Sequence, residues 1–360
     1  MLLHLFALLT AAATAVLIFA GGLVTSTGSG LSVPDWPNSY GWFMFSFPVE
    51  NWVGGIFYEH SHRLIASTVG FLILVLAAWL WRAEPRAWVR RLGFIALGAV
   101  VTQGVLGGIT VLWYLPDPIS IAHASLAQIV FCLTTTIALV TSPGWRRRYA
   151  RRGADLSAKS VREADRQPAL PGRLASRADL AKADDRTLQR VAVITVATIY
   201  TQIVIGATMR HTDAGLAIPD FPWMFGHLIP DHWDPKIAVH FAHRVGALAV
   251  AIMVLATTGH VLAHHRQRAE LLRPSLVLLA LVSLQVTLGA LTVLSGKHYI
   301  INSLHVVTGA CVLVTTLVLT LRAHRARFAD GLVADGGPAA NGRRAADPGN
   351  HAGATAGARA

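Results

Sequence analysis

Apolar runs of about 20 residues recur along this chain, separated by short polar or basic segments. They cover roughly 2–25, 63–81, 92–113, 120–141, 188–209, 243–262, 273–295 and 302–321. A helix of about 20 apolar residues crosses the hydrocarbon core of a bilayer, so the pattern predicts eight transmembrane helices. Composition agrees: 53% of the residues are hydrophobic and only 14% charged, more apolar than a soluble domain of this length requires. The expected fold class is an all-α integral membrane protein. Its first run has no Lys or Arg ahead of it and is longer than a signal-peptide core, so it is read as a retained helix.

The net charge of +12 would suggest a nucleic-acid partner on a soluble surface, and its placement argues against one. Of the 31 Lys and Arg residues, 26 fall in Arg82–Arg91, Arg146–Arg190, Arg266–Arg273 and the tail from Arg322. These are alternate connections, so the positive-inside rule predicts that they and both termini are cytoplasmic. The connections near 26–62, 114–119, 210–242 and 296–301 then face outward. The segment 142–187 reads as a solvated linker and 323–360 as a disordered tail.

The linker separates two copies of one unit. The stretch "QGVLGGITVL" from Gln103 matches "QVTLGALTVL" from Gln285, and His123 and His305 each follow their glutamine by 20 residues. "TGSGLSVPDWP" at 27–37 matches "TDAGLAIPDFP" at 212–222, and "EHSHR" at 59–63 matches "HFAHR" at 240–244. The architecture expected is two tandem four-helix bundles: an N-terminal half over 1–141 and a C-terminal half over 188–322.

The repeat sorts the histidines. His62 matches His243, each followed by arginine, whereas His60 matches Phe241 and reads as incidental. His62, His123, His243 and His305 are all expected within the first few residues of helices two, four, six and eight, near the outer face. Facing imidazoles in a bundle can hold a haem iron axially; the alternative is histidines hydrogen-bonded between helices. Structural zinc would want four ligands in one place. Arg63 and Arg244 suit either haem propionates or interface anchoring. Gln103 and Gln285, each one turn before a glycine, read as packing positions. The Gly/Pro/aromatic loops read as rigid turns at the membrane surface, plain connections or caps over a haem edge. Cys132 and Cys311 are not at equivalent repeat positions and read as small apolar residues.

Taken together, "TGSGLSVPDWP", "EHSHR", "HTDAGLAIPDFP", "HFAHR" and "NSLHVVTG" resemble the haem A synthase family, membrane enzymes related to cytochrome oxidase assembly, over about residues 1–322. The resemblance implies conversion of haem O to haem A, the C8 methyl being oxidised to formyl by successive dioxygen-dependent hydroxylations. It implies a haem b cofactor in the C-terminal half, held by His243 and His305 with Arg244 beside it. His62, His123 and Arg63 would then serve the substrate haem.

Glu59, three residues before His62 and replaced by His240 in the second repeat, is the expected catalytic group, relaying protons or stabilising charge; a solvated loop carboxylate is the alternative. Haem O synthase is the expected supplier, with an unidentified electron donor; lipid surrounds the chain, and a homo-oligomer is compatible with it. The Ala/Arg bias and the absence of a mitochondrial presequence ahead of the first run suggest a bacterial plasma membrane. In one respect the chain departs from many members: residues 26–58 lack a cysteine pair, so any thiol–disulfide step must be absent or supplied by another protein. The rival classes are a duplicated bis-histidine electron-transfer protein and a haem carrier without chemistry.

A reporter fused at residue 165 is expected on the cytoplasmic side. Its appearance outside the cell would overturn the predicted topology.

Overall fold

The fold was analysed in a computed structural model that describes residues 1–146 and 185–325. Eight helices long and apolar enough to cross a membrane make up about three quarters of the described residues. They are α1 (Leu2–Ser26), α2 (Gly54–Ala83), α3 (Ala87–Leu112), α4 (Asp117–Thr141), α5 (Arg186–His211), α6 (Pro235–His264), α7 (Ala269–Leu294) and α8 (Tyr299–Ala323). Most of the expected linker and tail lie outside the described residues, although Arg186 and Thr187 already belong to α5.

The duplication is visible in the helix lengths, which pair as 25 and 26, 30 and 30, 26 and 26, and 25 and 25 residues. In each half, successive helices pack on one another and the fourth closes back on the first, giving two antiparallel four-helix bundles. The halves meet through α1, α4, α5 and α8. An apolar cluster of Ile18, Phe131, Ala310 and Val314 fills that seam. Central placement shows in burial: 44% of the apolar window of α4 and of α8 is covered by protein, against 11% for α7. The outer helices keep residues such as Phe71, Leu74, Leu248 and Leu255 exposed, as lipid-facing surfaces require.

Two helix starts differ from the sequence expectation. Helices α2 and α6 begin at Gly54 and Pro235 rather than near 63 and 243. At α6 the cause is local: the Asp234 carboxylate accepts the Ile237 N–H at 2.8 Å, and Pro235 occupies the first turn. His62 and His243 are therefore each the ninth residue of a helix, while His123 and His305 are each the seventh. All four lie two turns inside the bundles rather than at their doorstep.

The opposite end of each half, where the basic connections lie, is tied by an acid, which in the first half is buried. Glu84, 2% exposed, accepts from Arg86 at 2.6 and 3.0 Å and from Arg146. Arg86 also donates to the Val140 carbonyl at 3.0 Å, joining the α2–α3 corner to the end of α4. In the second half Asp185, the N-cap of α5, contacts His260 and His265 at 2.7 and 2.8 Å.

Burial would raise the pKa of Glu84, but the hydrogen bonds and charge of Arg86 and the charge of Arg146 outweigh it and hold the carboxyl below its usual range. Its contribution to stability is thus complete above the unfolded value of about 4.3 and is lost as pH falls through the lower folded value. Glu84→Gln is expected to destabilise the protein in detergent by about 3 kcal/mol near neutral pH. Thermal unfolding followed against pH should show the gap between wild type and variant closing in acid.

Candidate functional site

Each repeated histidine faces a glycine on the preceding helix. A Cβ placed on Gly21, Gly107, Gly206 or Gly289 would come within 3.0–3.1 Å of Cε1 of His62, His123, His243 or His305 respectively. The ring occupies the space that any other residue would fill, so helix pairs α1/α2, α3/α4, α5/α6 and α7/α8 each carry one imidazole slot.

Three of the rings are also held by glutamine, one turn before the slot glycine. Gln202 Nε2 lies 3.0 Å from His243 Nδ1 and donates to the His243 carbonyl at 2.7 Å. Gln103 makes the same pair of contacts to His123, at 3.2 and 2.9 Å. His305 Nδ1 is 3.1 Å from the Gln285 carbonyl, with the Gln285 amide 3.3 Å from the other ring nitrogen. These glutamines orient the histidine rings rather than merely pack, which goes beyond the packing reading of Gln103 and Gln285. Gln202 went unrecognised, although Gln-x-x-x-Gly occurs at 103–107, 202–206 and 285–289. The fourth slot has Leu17 in place of glutamine, and His62 Nδ1 is buried without a partner.

The residues fit a haem. Two imidazoles binding one metal from opposite sides each place a nitrogen about 2 Å from it, which puts the ring centroids about 6 Å apart. The His243 and His305 centroids are 6.4 Å apart. His62 and His123 are near enough to interact electrostatically. The structure thus brings together the expected residues of each pair within its own bundle.

Arg63 and Arg244 are employed differently from the propionate reading. Arg63 donates to the carbonyls of Val33, Asp35 and Asn38 at 2.7–2.9 Å and to Glu59 at 2.6 Å. Arg244 donates to the equivalent carbonyls of Ile218, Asp220 and Trp223 at 2.7–3.2 Å. Four N–H groups of Arg63 and three of Arg244 are thereby engaged, so both arginines are clamps that hold the first loop of each half over its bundle.

The clamped loops are themselves rigid. The Asp35 carboxylate accepts from the amides of Tyr40 and Gly41 at 2.7 and 2.8 Å, and Asp220 does so from Phe225 and Gly226 at 2.9 Å. In each loop these two residues have positive φ and are flanked by a single β-bridge, a type I′ turn. Burial pushes the Asp35 pKa up, but the Gly41 and Tyr40 amides prevail and hold it below the usual value. Trp36 lies flat against Gly108, where a Cβ would fall 2.6 Å from the indole. The second repeat has a smaller ring, Phe221, and a larger residue, Ala290, at these positions.

Glu59 is 3% exposed, which removes the solvated-loop alternative. Its Oε1 faces Arg63 and its Oε2 accepts the Val33 amide at 2.8 Å. His240 does the corresponding work through Nδ1, accepting the Ile218 amide at 3.2 Å. Both are loop anchors, but Glu59 carries a charge and an additional bond to the clamp arginine that His240 does not make. His60 is not incidental: it is fully buried, 3.1 Å from Ser39 Oγ, with Phe47 and Trp52 against its ring and Nε2 unpartnered. Phe47 comes from a stretch that is longer in the first half, where 18 positions separate Gly41 from Glu59 against 14 from Gly226 to His240, whereas Trp52 has a counterpart in Trp233, set edge-on against Phe241.

Residues 4–318 match the family model described as cytochrome oxidase assembly protein. The chain is similar to a protein named "Heme A synthase" from Geobacillus kaustophilus, with 29% identity over 93% of this chain and 97% of the relative. It is also similar to one of the same name from Symbiobacterium thermophilum, with 31% identity over 81% of this chain and 87% of the relative. A third, from Lysinibacillus sphaericus, is 26% identical over 83% and 88%. With eight apolar helices in two equivalent bundles, glycine-slotted histidine pairs and a match along nearly its whole length, the chain belongs to the cytochrome oxidase assembly protein family that contains the haem A synthases.

Proposed function

We propose that this enzyme is a haem A synthase, oxidising the C8 methyl of haem O to a formyl group by successive hydroxylations that consume dioxygen. The observation that carries the reading is the pair of equivalent two-histidine sites, four imidazoles each slotted against glycine. In the C-terminal half His243 and His305 hold haem b, which supplies redox chemistry when bound. In the N-terminal half His62 and His123 receive haem O.

The unequal support of the rings favours this division. A hydrogen bond to the distal nitrogen of a ligating histidine fixes the ring and strengthens it as a ligand. His305 has that support, its Nδ1–H facing the Gln285 carbonyl, and the Gln202 amide N–H fixes the position of the His243 ring, as suits a resident cofactor. His62 lacks it, as suits a site whose occupant must leave once oxidised. Glu59, buried one turn before His62 and fixed by Arg63 and the Val33 amide, is the acid–base or charge-stabilising group of the substrate half. The clamped loop and Trp36 exclude water from the mouth of that bundle.

Haem O arrives from haem O synthase, and electrons and protons must be delivered at each hydroxylation by a donor. The chain works in a bacterial plasma membrane with both termini cytoplasmic and the histidine sites toward the outer face.

His243→Ala and His305→Ala are each expected to lower the haem b content of the purified protein roughly ten-fold or more, read as loss of the low-spin bis-histidine absorbance. Unchanged haem in both variants would remove the pair from the ligand list. Glu59→Gln retains the shape and one acceptor but loses the charge. It should keep haem b and accumulate haem O or a hydroxylated intermediate, while His240→Gln should be milder. Chromatography of haems extracted from the two variants in one host decides; normal haem A from Glu59→Gln leaves that residue a loop anchor only, and haem O alone from the wild-type chain refutes the synthase reading.

A further inference from the structure

Resting on the haem reading above, we infer that Arg210 binds a carboxylate at the loop-bearing edge of the C-terminal histidine pair, a propionate of the haem held there. The argument begins with the face of α5. Gln202, Gly206 and Arg210 are spaced four apart and so share one side of the helix. Gln202 holds the His243 ring and Gly206 makes room for it. Arg210 is the next residue on that face, one turn nearer the loops. It also lies within electrostatic reach of His305, so the cation stands near one histidine of the pair on the helix face that holds the other.

That cation lacks a counter-charge. Arg210 Nη2 donates to the Gly22 carbonyl at 2.5 Å and to Ser26 Oγ at 2.8 Å, and Nε is buried without a partner. Among the described residues no carboxylate pairs with it. A guanidinium sunk in a low-dielectric bundle with only neutral acceptors is costly unless an anion joins it. The planar fork with free donors suits a carboxylate. Arg63 and Arg244, by contrast, are already committed to backbone carbonyls.

The feature belongs to one half only. The repeat equivalent of Arg210 is Thr25, just as Leu17 stands for Gln202. The side chain reaches across the seam to α1, where Ser26 also contacts Ser303 and Asn302 of α8 at 3.2 Å. Carboxylate binding at Arg210 would therefore brace the two bundles together as well as seat the haem.

The test uses the full chain with His62→Ala, which leaves the C-terminal pair as the intact site, produced in a haem-deficient host and purified in detergent. It is titrated with haem b and, separately, with the dimethyl ester of haem b, whose propionates carry no charge. The free acid is expected to bind roughly ten-fold or more tightly than the ester. Adding Arg210→Gln should bring the two affinities together while preserving the low-spin bis-histidine spectrum, and Arg210→Lys should keep part of the preference. Equal affinity for acid and ester with Arg210 in place, or an undiminished preference in Arg210→Gln, overturns the inference and leaves the haem reading standing. Failure of either compound to give a low-spin spectrum before Arg210 is changed overturns both.

Discussion

Each repeated imidazole fills the volume that a Cβ on the facing helix would take, and much of the loop-bearing end follows from that contact. Glycine lets two helix backbones approach closely enough to grip the ring between them. Gripped in this way, the ring has one nitrogen turned toward its own helix pair, and a residue one turn from the glycine can reach it. Three glutamines do so. Lipid cannot satisfy a polar atom, so such polar side chains inside apolar helices depend on one another.

The duplication is most informative where it fails. Helix lengths, glycine slots, arginine clamps and turn geometry agree between the halves, and all of these set shape. The differences are Leu17 for Gln202, Thr25 for Arg210, Glu59 for His240 and His60 for Phe241. Every one changes charge or hydrogen bonding close to a histidine while leaving the helices in place. A single scaffold thereby offers two environments for its histidine pairs.

Much of this was legible in the sequence because its signals are periodic. Eight apolar runs and the constant offset between His123 and His305 define the bundles and the pairs without any structure. The starts of α2 and α6 were misjudged because the polar turns at 54–62 and 235–242 do not look like membrane helix, even though Asp234-Pro235 is a helix-start signal. The arginine clamps were not legible for a different reason: a guanidinium beside a presumed haem ligand invites a charge partner, and backbone carbonyls 25–30 positions away leave no trace in composition. Arg210 drew no notice since its meaning depends on what does not surround it. His60 could not be interpreted from the repeat because its counterpart Phe241 meets Trp233 as His60 meets Trp52 but has no ring nitrogen to show what the imidazole adds.

The clamps recognise only main-chain oxygen. Arg63 and Arg244 each take three carbonyls in the same spacing, whatever side chains the loop carries, as Asn38 and Trp223 at one clamped position illustrate. The outer surface of either half is therefore open to evolutionary rewriting while the fastening beneath it stays unchanged. A lineage can lose or gain cysteines there, or exchange one docking partner for another, without re-engineering the chamber the loop covers.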